Sequence, residues 1–271
     1  MKHTKYVLSS LILVLIALSF VPYVTPQVGT YMFHGVAGDT KILKVRTADN
    51  SSLNDLFGSS YVSVLQTAFG VGCLEVGAQK KSLVTAVDIS AVDPFFGYPA
   101  ANYTTDNWKW TTGAFPSSPD DGSGINVTSL YNPHNITAIV NYVFSQNVTL
   151  QNAAIYFAQL PTPVDQYLGA IVWAPKWQNV GNTVVHNAEQ GDYGVLPTFA
   201  LFQYLQNCTE IWTYDTTYGA WIGYQILDNT GAVIYEFSIE LPQIPAIPGF
   251  EIPILLGVAA IGIIYVIKKR K

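Results

Sequence analysis

The chain has 271 residues, of which 11% are charged and 49% hydrophobic, against roughly 25% charged in an ordinary soluble domain. Its charge is uneven. Setting aside Lys2, Lys5, Glu251 and the last four residues leaves 17 acidic residues against 7 basic ones, a formal charge near −10, which argues against nucleic acid as a partner.

Residues 6–21 form an uncharged run behind Lys2 and Lys5 that contains Ala17-Leu18-Ser19 as small residues for a signal peptidase and is followed by Pro22 and Pro26. We read residues 1–27 as a signal peptide for the export machinery, with an uncleaved signal anchor as the alternative. A second uncharged run, 252–267, precedes Lys268, Lys269, Arg270 and Lys271. Each run of 16 residues spans about 24 Å as a helix, slightly short of a hydrocarbon core of about 30 Å. Snorkelling lysines make up the difference. With the basic residues on the outer side of each run, the positive-inside rule puts both termini in the cytoplasm and the intervening body outside the cell.

The body, 28–241, opens with a weak internal repeat: Gly38, Lys41, Val45 and Asp49 recur as Gly77, Lys80, Val84 and Asp88. Each copy reads as a turn followed by a strand. Between them Leu53, Leu56, Phe57, Tyr61, Val64, Leu65 and Ala68 have helical spacing, with Ser51 or Ser52 as the expected N-cap and Gly58 as a weak point. The Pro-, Ser-, Asp- and Gly-rich stretch 116–124 is a possible subdivision or a long hairpin. Segments 150–160 and 198–207 read as short apolar helices. The clearest pattern is a three-stranded meander over 211–214, 220–227 and 232–241, with turns at 215–219 and 228–231. Its middle strand is apolar on both faces and is expected to be central and covered on both sides. The expected class is α+β with β dominant: curved antiparallel sheet and a few short apolar helices.

Six sequons occur, at Asn50, Asn102, Asn126, Asn135, Asn147 and Asn207, where chance would complete about two. All six fall in the body assigned to the exterior. Cys73 and Cys208 allow one disulfide in an oxidising compartment, and two buried thiols fit the count equally well.

A search for chemistry finds no catalytic, cofactor-binding or metal motif. His34, His134 and His186 lack a second His or Cys at ligand spacing, and Asp120-Asp121-Gly122 reads as a solvated turn rather than a calcium loop. Trp108, Trp110, Trp173 and Trp177 are candidate aromatic platforms, with core packing the more ordinary role.

At the C-terminus, Pro248-Gly249-Phe250, an apolar run and a terminal basic cluster follow one another. This order resembles the tripartite sorting signals of archaeal surface proteins, the PGF-CTERM class, over about 24 residues. The resemblance implies an archaeosortase-like processing enzyme as partner and exchange of the helix for a lipid. Glu251 and Pro253 so close to the motif, and the missing Thr-rich stalk, depart from that pattern. The meander is also similar to uncharacterised archaeal exported proteins, which brings no activity with it.

The expectation is a membrane-anchored, non-enzymatic surface glycoprotein, structural or ligand-binding; the alternatives are a binder of lipid or small hydrophobes in a cavity beneath a curved sheet and a secreted hydrolase. Residues 242–251 are then a Pro-rich linker carrying the sorting motif, 252–267 a transmembrane helix and 268–271 a cytoplasmic tail.

Overall fold

The computed structural model describes residues 31–138, 158–173, 175–192 and 203–240. The expected signal segment, linker, transmembrane helix and basic tail lie outside the described residues.

Nine antiparallel strands form one curled sheet. Their ranges are β1 Thr40–Ala48, β2 Gln79–Val92, β3 Pro99–Asn107, β4 Ile125–Leu130, β5 Trp177–Val180, β6 Thr183–Ala188, β7 Cys208–Tyr214, β8 Trp221–Leu227 and β9 Val233–Ile239. The spatial order is β4-β3-β2-β1-β9-β8-β7-β6-β5. Two meanders, β1–β4 and β5–β9, therefore grow outward from a central seam where β1 pairs with β9. Leu43 stands opposite Ile239 there, and Val45 opposite Phe237.

Both copies of the internal repeat are a turn followed by a strand. Gly38 and Gly77 hold φ of 102° and 90°, conformations that disfavour a Cβ, and lead into β1 and β2. These strands pair with each other, Leu43 opposite Lys80. The stretch 116–124 joins β3 to β4 within the sheet.

Three helices are short: α1 Asn50–Phe57, α2 Tyr61–Phe69 and α3 Val164–Gly169. Sequence spacing anticipated α1 and α2 but not their cap. Asp49 fills that place, its carboxylate accepting from the backbone N–H groups of Ser51 and Ser52, because Ser51 and Ser52 already lie inside the first turn. Gly58, at φ 74°, breaks the run, and a turn of 3-10 helix, Gly58–Ser60, redirects the chain into α2. Leu53, Leu56, Phe57, Val64, Leu65 and Phe69 then face the inner side of the sheet, against Leu43, Val45, Tyr224, Ile226, Tyr235 and Phe237.

A second core brings together opposite ends of the sheet. Ala100 of β3 and Leu130 of β4 pack with Val184 of β6 and Tyr214 of β7 around Val164, Tyr167 and Leu168 of α3. The buried Tyr167 hydroxyl donates to the Leu130 carbonyl at 2.6 Å. The fourth and sixth strands can share this core only because the sheet curls.

Two expectations are corrected. Of the segments 150–160 and 198–207, residues 150–157 and 198–202 lie outside the described residues, and the described ends 158–160 and 203–207 are not helical. Gln159 instead bridges Ala220, and 203–207 is irregular. The middle meander strand β8 is central as expected, yet its large buried side chains, Tyr224 and Ile226, lie on one face, while Ile222, Gln225 and Leu227 are half-exposed. Bulges beside Tyr214 and Leu227 break the regular alternation, so Ile234 of β9 is buried along with its neighbour Tyr235.

Candidate functional site: an outer sequon face and a buried polar array

Five of the six sequon asparagines are described; Asn147 is not. Asn50 opens α1, Asn126 lies on β4 and Asn207 just precedes β7, and all three are exposed. Asn102 on β3 and Asn135 in the helical turn 133–138 are half-buried. The register of β3 and β4 interlocks two sequons, placing Asn102 opposite Thr128 and Asn126 opposite Thr104. Thr104 Oγ1 donates to Asn126 Oδ1 at 3.2 Å. The Asn102 carbonyl oxygen is buried without a hydrogen-bond partner. Asn126 is therefore the accessible member of this pair.

The cysteine bridge is not formed. Cys73 and Cys208 are separate free thiols, both buried in the core beneath α1 and α2. Burial pushes the Cys73 thiol up to about 11 and raises that of Cys208 further. Neither thiol is a nucleophile at neutral pH. The Pro248-Gly249-Phe250 motif and Lys268, Lys269, Arg270 and Lys271 lie outside the described residues.

A polar array that motif searching missed sits on the inner face of the second meander. His186 of β6 stands opposite Glu210 of β7, with Nδ1 2.8 Å from Glu210 Oε2. From β8, the Tyr224 hydroxyl donates to Glu210 Oε1 at 2.5 Å. Glu210 is completely buried and His186 is 4% exposed. Burial, and then the adjacent Glu210, hold the Tyr224 phenol well above its ordinary range, so it remains the donor. Donation from His186 Nδ1 to the second oxygen would complete the hydrogen bonding of an ionised Glu210. Trp177 lies flat on the imidazole, centroids 4.2 Å apart and planes 10° from parallel, and continues into Trp212 at 5.3 Å. The signal for this array was present in the sequence: Cys208, Glu210 and Trp212 alternate inward with Thr209 and Ile211, so the glutamate occupies a core position.

An oriented imidazole with a carboxylate behind it is the arrangement of a general base. At 4% exposure, however, His186 offers no approach to a substrate. The array braces three strands instead, satisfying a buried carboxylate with two donors.

A second inner pair follows from the repeat. Lys41 and Lys80 occupy equivalent repeat positions and turn to the same face. Lys41 Nζ donates to the Trp221 carbonyl at 3.1 Å, whereas Lys80 Nζ reaches the Phe69 carbonyl at 3.2 Å and Asp121 Oδ2 at 2.6 Å. Burial, and then the charge of Lys80, lower Lys41 to about 8. Asp121 is thus a structural ion-pair partner. Among the described residues no group of three or more His, Cys, Asp or Glu side chains is placed to hold a metal ion.

Three of the candidate aromatic platforms are accounted for by packing. Trp108 is buried beneath Lys81, whose Nζ is 4.1 Å from the ring centroid. Trp110 is buried with its indole N–H on the Phe69 carbonyl. Trp173 is half-buried and stacks on Trp177. No protein-family model, curated protein or solved structure matches this chain.

Proposed function

We propose that this chain is a non-enzymatic glycoprotein of the cell surface, held at the membrane by its C-terminal segment, with the body 28–241 outside. The observation that carries the reading is the position of the sequons. In the described body Asn50, Asn126 and Asn207 are exposed, although nothing in strand or helix formation requires an acceptor asparagine at those positions.

The membrane part of the proposal rests on the uncharged run 252–267 and its basic terminus. Export machinery and an archaeosortase-like enzyme acting at Pro248-Gly249-Phe250 are its proposed partners. Protease added to intact cells should digest the body, and deletion of residues 251–271 should release it into the medium. Protection of the body until lysis would overturn the surface assignment. Replacing Gly249 and Phe250 with alanine separates a processed signal from a plain anchor, since an ordinary helix tolerates both changes.

A further inference from the structure

The β2–β3 hairpin ends in a cluster of exposed apolar side chains at one end of the sheet. Ile89 is 62% exposed, Val92 57%, Phe95 75% and Phe96 38%. Solvent-facing residues of this kind at the tip of an ordered hairpin mark a contact surface. The tip is well built. The Asp93 carboxylate accepts from the backbone N–H groups of Phe95 and Phe96 at 3.1 and 2.6 Å. Asp93 N–H donates to the Tyr98 carbonyl at 2.8 Å and Gly97 N–H to that of Asp93 at 3.0 Å. Phe96 stacks on Tyr98. A loop whose backbone donors are satisfied internally can enter a less polar medium without stranding them.

The direction of the hairpin identifies that medium. Glu240, at the end of β9, bonds to the Ile42 carbonyl, and Ile42 pairs with Lys81. The chain thus leaves the sheet level with Lys81, heading the way β2 runs toward Val92. From Lys81 to Val92 is eleven residues, at most about 36 Å at strand rise. Bulges beside Ala86 and Ala91 shorten this span. Between Glu240 and the uncharged run at Ile252 lie twelve residue steps, which reach at most about 40 Å. The hairpin tip and the start of the run can therefore arrive at the same plane. The upstream chain approaches β1 from the same direction: Phe33 packs on Tyr103, which faces Val87.

We propose that the β2–β3 tip is a second membrane contact, with Val92, Phe95 and Phe96 seated in the interfacial layer of the bilayer that holds the tail. The inference rests on the membrane anchorage proposed above. No Lys or Arg occurs between Leu83 and Asn107, so the contact is apolar rather than electrostatic, and neutral lipid suffices. Anchored at two points, the body has a fixed orientation over the surface.

The test uses the full chain reconstituted into phosphatidylcholine vesicles, with and without lipids carrying a nitroxide high on the acyl chain. A Phe95→Cys variant is labelled with an environment-sensitive fluorophore under native conditions, in which Cys73 and Cys208 stay buried. A Val76→Cys variant, at the opposite end of β2 and 60% exposed, is the control. The label at position 95 should lose at least half of its emission to the nitroxide, equally in low and high salt, while the label at position 76 is unaffected. If flotation shows the protein bound to vesicles and both positions report water, the tip contact is wrong and the anchor stands. If the full chain does not float with the vesicles, the anchor is wrong and the tip proposal falls with it. Quenching that disappears in high salt would also overturn the apolar contact argued here.

Discussion

Tyr224 and His186 hold opposite oxygens of a single buried carboxylate, that of Glu210. Removing either donor leaves a carboxylate in the core with one lone-pair site unmet. His186→Ala and Tyr224→Phe should each cost about 1–3 kcal/mol for one unsatisfied buried acceptor, the histidine change more, because it also removes the ring on which Trp177 stacks. Denaturant unfolding measures both. Changing His186 and Glu210 together to apolar residues should cost less than the two single changes added, because neither partner is left with an unmet hydrogen-bonding group.

Lys41 supplies a pH dependence with a definite sign. Its folded value of about 8 lies below the ordinary lysine value of about 10.4. Between those limits the unfolded chain binds the extra proton, so this residue makes stability rise with pH from about 8 to 10; below 8 its destabilisation is fully present. In Lys41→Met that rise should vanish. The comparison is the difference in unfolding free energy between the two proteins at pH 7 and pH 9.5, since other groups titrate in both.

The glycan prediction concerns Asn102 and Asn126. Their side chains are near neighbours on adjacent strands, and only Asn126 is exposed. Intact-mass measurement of protein from its native host should show one glycan lost in Asn126→Gln and none lost in Asn102→Gln. Equal losses from the two variants would mean that acceptor choice precedes folding of β3 and β4.

Both thiols should be silent to a thiol reagent in the native protein at neutral pH. Unfolding without reductant should reveal two, since Cys73 and Cys208 are unbonded. Finding none would restore the bridge that an oxidising exterior favours.

Gly219 carries the most demanding backbone contact. At φ +72° a Cβ there would lie 1.8 Å from the Leu160 carbonyl oxygen, and Leu160 N–H in turn donates to the Gly219 carbonyl at 2.8 Å. Gly219→Ala should destabilise by more than about 2 kcal/mol. Gly231, with φ +84° and nothing within 4 Å of such a Cβ, should lose less in the same thermal melt.

The local elements were legible because they follow period and punctuation. The β7–β9 meander, the β1 and β2 turns and the faces of α1 and α2 come from alternation, helical spacing and glycine. Legibility failed where distant residues decide. The Asp49 cap required knowing that the helix starts one residue before Ser51. The double burial of Ile234 and Tyr235 depends on a bulge within β9, where Ile234 is the extra residue between the paired Val233 and Tyr235. The Glu210 array was visible only as a polar residue in an apolar alternation, and its donors come from two other strands. The free thiols show why a count of two cysteines cannot settle a bridge: both belong to the same core, but burial and sequence composition do not fix the geometry a disulfide needs.

The central seam has a consequence for the order of assembly. β1 is made first and β9 last, and contacts across the seam join residues as far as 198 positions apart, Ile42 and Glu240. During synthesis the first four strands can pair as local hairpins, but β1 then waits with one ladder of backbone groups open until the whole second meander has emerged. The docking of α1 and α2 waits as well, because Tyr224, Tyr235 and Phe237, which they cover, belong to the last two strands. Only a dozen residues of further synthesis separate the strand that closes the sheet from the uncharged run at Ile252. For a chain that emerges on the far side of a membrane amino end first, the body finishes folding at nearly the moment its tail arrives.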